Sequence, residues 1–451
     1  MSNNAPAKHN VSDSRMARRA MLASAVGSAI EWYDFYVYGL SAALIFNHLF
    51  FPSSNAYSGT LLALSTFFAG FLTRPLGAMF FGHFGDRLGR RTVLLATTLM
   101  MGLGTFFVGL APTHAVAGMW GAVILVALRV VQGIGVGGDW GGSVLMATEW
   151  NSADGKRGFL GSLPQFGSPL GLITATIVTE ASNRLFTSDS YESIGWRIPF
   201  LFSLLLTALT LFLRLRVRET TSFAEAKQTG SLRRAPVAYL IRHHWRTVIK
   251  TTLMRTGQNT GFYLFTTFVL SYGVTSLHRE RSTMLVAVLV AAMISLGSTL
   301  FWGALSDRIG RKRLILIGIA VMFCFAIPYY VLIDSESSVL LFVGVVLSMI
   351  IQDMQYGPQG SFIAESFPAD VRYSGASLGY QLTSITSGGP APLIATALVA
   401  TYQSSIAIAV YLMIACGVAF VATLMLPSVD QPPASKPGSR PQAVYRATER
   451  A

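Results

Sequence analysis

The sequence predicts an all-α integral membrane protein of about twelve transmembrane helices in two six-helix bundles, and three observations carry that prediction. The chain is too apolar for water, its apolar residues form long continuous runs, and its halves repeat. Of 451 residues, 52% are hydrophobic and only 12% charged, with a mean hydropathy of +0.51. A soluble globule carries about 25% charged residues. The runs fall near 20–47, 58–83, 92–111, 117–148, 158–180, 196–213, 248–273, 283–305, 314–333, 338–364, 374–400 and 405–426. Each can cross a hydrocarbon core of about 30 Å at about 1.5 Å per residue. A closed β-barrel would need short alternating strands instead.

The first run follows "RMARRAMLASAVGSA", which has the charged and apolar regions of a secretory signal. The apolar run continues through "FYVYGLSAALIFNHLFF", so an uncleaved first span is expected behind a tail at 1–19. Alternate loops collect the basic residues: Arg15, Arg18 and Arg19; Arg87, Arg90 and Arg91; Lys156 and Arg157; 214–250; Arg308 to Arg313; and Arg372 with the final tail. The positive-inside rule then puts both termini in the cytoplasm, in a cell inner membrane. It also accounts for the net charge of +13. The charges sit in short loops, so anionic lipid suffices as partner and nucleic acid is not implied. Cys324 and Cys416 fall in apolar segments without metal or redox spacing and read as small core residues.

The halves echo each other. "GHFGDRLGRR" at 82–91 aligns with "GALSDRIGRK" at 303–312, pairing Asp86 with Asp307, Arg87 with Arg308 and Arg90 with Arg311. "EWNSAD" aligns with "ESFPAD", pairing Glu149 with Glu365 and Asp154 with Asp370. An N-terminal bundle at 20–213, a polar cytoplasmic linker at 214–247 and a C-terminal bundle at 248–426 follow, and such repeats meet around a central site. The tail 427–451 is Pro-rich and without heptads, and is expected to be disordered.

The duplicated loop motif and the twelve-span layout resemble the major facilitator superfamily. "IEWYDFYVYG", "TRPLGAMFFGHFGDRLGRR", "RVVQGIGVGGDWGGS" and "YGPQGSFIAESFPADVRYSGASLGYQL" together are similar to its metabolite:proton symporter branch, over roughly residues 18–426. Within that branch, "GVGGDWGGS" and "YLFTTFVLSYG" are most similar to shikimate-type permeases. The resemblance implies alternating-access symport of a small carboxylate or zwitterion with protons, driven by the proton gradient, without metal or cofactor, by a monomer. It also implies that Asp86 and Asp307 sit near helix N-termini while Arg87, Arg90, Arg308 and Arg311 meet acids such as Glu149 and Glu365, latching the outward-open state. The plainer reading of those arginines is topology control. The tail 427–451 is not expected to form the long coiled coil of the branch's osmosensory betaine transporters.

Charges inside the spans narrow the site. A charge at the bilayer centre costs about 2.5–3.5 kcal/mol even on insertion scales, so each needs a partner or a role. The candidates are Glu31, Asp34, Arg74, Arg129, Asp139, Arg255 and Asp353. Glu31 and Asp34, three residues apart, are separated by about 60° around a helix and can face one cavity with Arg74 and Arg129. They either neutralise those arginines or carry the coupled proton. Asp34 and Arg129 also match the first-span Asp and fourth-span Arg of related proton–sugar symporters, which makes Asp34 the first candidate for the coupling acid and Glu31 the second.

Arginine suits an anionic substrate because its planar fork grips a carboxylate and stays charged. Arg74, Arg129 and Arg255 supply such forks, although Arg255 is near enough to the surface to snorkel. Arg255, Gln258, Asn259 and Phe262 share one helical face, and the amides serve either substrate hydroxyls or inter-helix bonds. Asp353, Tyr356, Gln359, Tyr380 and Gln381 extend the candidate wall, with Tyr33, Tyr36, Gln165 and Trp140. Gly133, Gly137 and Gly141 form a small-xxx-small stripe for close helix packing, not a phosphate loop.

Three function classes remain: organic-acid import by proton symport, proton-driven efflux of a small organic compound, and a membrane enzyme or sensor. "GSPLG" at 167–171 has a partial likeness to an antiporter motif, and no Ser/His/Asp, metal or nucleotide constellation supports an enzyme.

Overall fold

The computed structural model describes residues 11–52, 56–149, 156–217, 219 and 235–428. The N-terminal half contains α1 (Val11–Leu44), α2 (Ala56–Leu88), α3 (Arg90–Leu110), α4 (Met119–Glu149), α5 (Arg157–Leu185) and α6 (Ile198–Leu215). The C-terminal half contains α7 (245–275), α8 (Arg281–Ile309), α9 (Arg311–Asp334), α10 (Ser338–Glu365), α11 (Arg372–Tyr402) and α12 (Ile406–Leu424). No strand occurs among the described residues. Asp154, linker residues 218 and 220–234 and nearly all of the tail lie outside them.

Eight of the described helices are long and apolar enough to cross a membrane by length and composition. α1, α2, α5 and α7 are not among them. These four carry Glu31 and Asp34, Arg74, Gln165 between Pro164 and Pro169, and Arg255 with Gln258 and Asn259. The surface, by contrast, exposes large side chains such as Leu76, Phe107, Val331 and Ile414, as expected where lipid is the solvent.

Within the halves, α1 packs on α5 and α2 on α4, while α8 packs on α10 and α9 on α10. α2 meets α11 and α5 meets α8, so each half contributes one helix pair to the boundary. The α2–α4 approach depends on glycine. A Cβ on Gly133 would stand 2.2 Å from the Gly70 carbonyl oxygen, and one on Gly137 would stand 2.1 Å from that of Arg74. Gly141, which the stripe predicts for the same contact, faces Ser377 of α11 across the boundary instead. The stripe therefore serves two interfaces.

Helix ends and breaks are satisfied from elsewhere in the chain. The Glu219 carboxylate accepts from the backbone N–H groups of Arg90 (3.0 Å) and Arg91 (3.2 Å), capping the positive end of α3. Lys312 donates to the Leu424 carbonyl at 3.0 Å, at the negative end of α12. α11 contains a π turn at Ser384–Gly388, a break that loosens the regular backbone ladder. Asn259 of α7 donates to the Thr383 carbonyl (3.3 Å) and the Ser387 hydroxyl (3.1 Å) beside it.

Candidate transport site and charge junctions

The first four helices bring Glu31, Asp34, Arg74 and Arg129 to one narrow cavity with Thr105 and Gln132. It leaves about 20 Å³ for the centre of a water molecule, room for one water rather than a metabolite. The Arg129 guanidinium lies 3.2 Å from the Tyr38 ring centroid and faces Asp34. Arg74 stands 4.4 Å from the Phe71 ring centroid and 5.0 Å from that of Phe35, and it reaches Tyr263 of α7. Aromatic faces hold these cations where water is scarce. Asp34 is buried and Glu31 half-buried, yet Asp34 Oδ1 and Glu31 Oε2 are buried without a hydrogen-bond partner. An unsatisfied buried acceptor costs about 1–3 kcal/mol, so each oxygen is open to a hydrogen-bond donor.

The C-terminal half offers a different face. Arg255 is buried under the Tyr380 ring at 3.3 Å from its centroid, and it donates to Gln359 Oε1 (2.9 Å), the Tyr380 carbonyl and Asn259 Oδ1 (3.4 Å). Its fork is thus occupied by the protein. Tyr380 stacks on Trp140 at 3.6 Å, Trp140 donates to Gln165 Oε1 (3.0 Å), and Gln165 donates to the Tyr356 carbonyl (3.3 Å). These contacts join the halves. Gln258 is buried with its Oε1 unpartnered.

Two candidate wall residues turn elsewhere. Tyr33 donates to the Pro199 carbonyl at 2.7 Å, toward α6, because its position on α1 faces away from Asp34's cavity. Asp353 accepts from the Ser295 hydroxyl at 2.7 Å, between α10 and α8.

At the end bearing the basic loops, two junctions tie the halves together. Asp86, closing α2, accepts from the backbone N–H groups of Tyr373 (3.2 Å) and Ser374 (3.0 Å) and from the Ser374 hydroxyl (2.7 Å), at the start of α11. Asp307, closing α8, accepts from the backbone N–H groups of Gly158 (2.7 Å) and Phe159 (3.0 Å), at the start of α5. A carboxylate at a helix N-terminus meets unpaired N–H groups and the positive end of the dipole. Arg90 lies 3.9 Å from Asp86 and 3.6 Å from Glu149. Arg311 lies 3.4 Å from Asp307 and bonds Glu365, which also stands 3.5 Å from Arg157. Arg87 bonds His83 at 3.2 Å on the surface, and Arg308 is exposed. Both stay outside the junctions.

Sequence reasoning missed Arg214. It reads as the first residue of the linker, but α6 continues to Leu215 and buries it. Its guanidinium grips Asp139 through two bonds, 2.6 and 2.9 Å, and donates to Ser143 at 3.2 Å, to the Leu94 carbonyl at 2.8 Å and to Thr98. The only sequence signal was Asp139 itself, an intramembrane acid with no partner nearby in the chain. Tyr38, Thr105 and Tyr263, which surround the arginines, carry no charge to mark them.

Three comparisons bear on this arrangement. The sequence profile of the Major Facilitator Superfamily matches residues 20–391. The chain is 36% identical to the shikimate transporter of Escherichia coli K12 over 416 residues, covering 91% of this chain and 94% of that one. It is 34% identical to the inner membrane metabolite transport protein YhjE of the same organism, covering 90% and 93%, and 31% identical to its proline/betaine transporter, covering 91% and 83%. Among solved structures, the proton:xylose symporter XylE superposes with a TM-score of 0.73 at 20% identity, covering 91% and 95%. An inward-open form of the E. coli xylose transporter scores 0.63 at 19% identity, covering 90% and 95%.

Proposed function

This chain belongs to the major facilitator superfamily, a multi-pass membrane transporter and not an enzyme, and from that premise we propose that it imports a small organic acid by proton symport. The observation that carries the reading is the meeting of Glu31, Asp34, Arg74 and Arg129 in one cavity. Asp34 is the coupling acid. While Arg129 is near, its carboxylate is favoured; when substrate draws the guanidinium away, the buried oxygen takes up a proton. Arg74 and Arg129 then hold the substrate carboxylate. Arg255 supports Tyr380 and the amides of α7 and contributes less to binding than its charge suggests.

The basic end is cytoplasmic in this reading, with both termini there. The two Asp–helix junctions act as the latch of an outward-facing or occluded state, broken as the halves rock. The shikimate and metabolite relatives favour a hydroxylated carboxylate as cargo, and the proline/betaine relatives keep a zwitterion in view.

The test is uptake of labelled shikimate by proteoliposomes under an imposed inward proton gradient. Unlabelled hydroxy-, keto- and dicarboxylates, proline and glycine betaine serve as competitors. Uptake that collapses with a protonophore is expected. Outward proton-driven flux would assign export, and uptake indifferent to the gradient would refute symport.

A further inference from the structure

The two acids of α1 face different partners. Asp34 faces Thr105 and Arg129, whereas Glu31 faces Asp139 and Arg214 as well as Arg74. A second narrow cavity, lined by Glu31, Asp34, Thr98, Asp139 and Arg214, continues from the first toward the basic end. A third, lined by Ser24, Arg91, Ser143 and Arg214, carries on beyond the guanidinium. Each leaves about 10 Å³ for a water centre, near the minimum for one molecule. Arg214 is the residue common to both. It fits there because α1 has Gly27 one turn before Glu31, where a Cβ would stand 2.6 Å from the guanidinium.

A fixed arginine across a water path repels hydrated protons. Its position is linked to the junction between the halves. Tyr373, whose backbone N–H is bound by Asp86, inserts its ring beside Gly85, donates its hydroxyl to the Gly138 carbonyl at 2.7 Å and stands near both Asp139 and Arg214. Withdrawing the start of α11 therefore removes the ring that backs the pair.

We propose that Asp139 and Arg214 form a proton gate between Glu31 and the basic end, held shut by Tyr373 while the Asp86 junction is intact. When α11 moves, Arg214 yields and water joins the two cavities. The O–H bond of protonated Glu31 breaks, its proton forms a new O–H bond on a water oxygen, and the carboxylate stays behind with Arg214 as its counter-ion. The proton thus leaves through the N-terminal half, apart from the substrate path. Asp34, Arg74, Arg129 and, beyond the guanidinium, Arg91 are the other charged groups facing this route, and from α11 Tyr373 is the titratable neighbour.

This inference deepens the symport reading, but its test needs no transported compound, so a wrong cargo leaves the result unchanged. Purified protein is reconstituted with a trapped pH dye, and the decay of an imposed pH gradient is followed. Arg214→Gln should speed the decay several-fold over wild type, and adding Glu31→Gln should return it to the wild-type rate. Should Arg214→Gln fail to reconstitute as a monodisperse protein, Tyr373→Ala, which removes the ring, should give a smaller acceleration, again abolished by Glu31→Gln. A leak that persists without Glu31, or no leak in either gate variant, overturns the proposal.

Discussion

The two halves share one backbone plan and one pair of junctions but differ in what they bury. In the N-terminal half Glu31, Asp34, Arg74, Arg129, Asp139 and Arg214 are linked through adjoining cavities. In the C-terminal half the comparable charges are separate: Arg255 is satisfied by two side-chain amides, a carbonyl and a ring, while Asp353 is bonded to a serine through one oxygen and its Oδ1 is buried without a partner. Yet Asp86 on α11 and Asp307 on α5 repeat the same chemistry almost atom for atom. The contrast teaches that closing the basic end needs symmetry, since either half must release the other, whereas holding a proton needs only one acid cluster. In the proposed mechanism the N-terminal half handles protons and the C-terminal half supplies aromatic and amide walls.

Substitutions can break or sharpen that contrast. The largest effect is expected from Asp34→Asn, which should abolish gradient-driven accumulation in the uptake assay while leaving substrate exchange; unchanged accumulation would remove Asp34 from coupling. Next, Asp139→Asn takes the partner from a buried cation and should cost about 3–5 kcal/mol. Asp353→Asn keeps an acceptor for the Ser295 hydroxyl and only weakens that bond, so it should cost less, about 0.5–1.5 kcal/mol. Thermal unfolding in one detergent compares the two, and equal losses would erase the asymmetry. Arg129→Lys replaces a fork by a point charge and should weaken apparent affinity about tenfold or more, close to 1.4 kcal/mol; near-normal affinity would contradict its contact with the substrate.

The junctions should behave alike. Asp86→Asn and Asp307→Asn are expected to increase labelling of cysteines placed at the basic end to a similar degree, and a strong effect of only one would show that the repeat is not symmetric in energy. Arg87→Gln should do least, changing transport by less than twofold, because its side chain bonds only His83 on the surface. A large loss there would return the motif's arginines to the junction.

The spans, the repeat and the meeting of Glu31, Asp34, Arg74 and Arg129 were legible because they follow from local rules. Hydropathy is a property of consecutive residues, and Glu31 and Asp34 share a face through the three-residue spacing of one helix. Depth along each span then puts them level with Arg74 and Arg129. The same rules misplaced Arg214. At the end of an apolar run it looks like any positive loop residue, and its partner lies 75 positions away.

The sequence by itself therefore determined the solvent, the number and order of the helices and the identities of the buried charges within the apolar runs, Arg214 excepted. Only the tertiary structure decided which charges meet: that Arg214 takes Asp139, that Arg255 is occupied by Gln359 and Tyr380, and that Tyr33 turns to Pro199. The physical reason is that desolvation is felt residue by residue along a helix, while an ion pair depends on a distance of a few ångströms between helices remote in sequence.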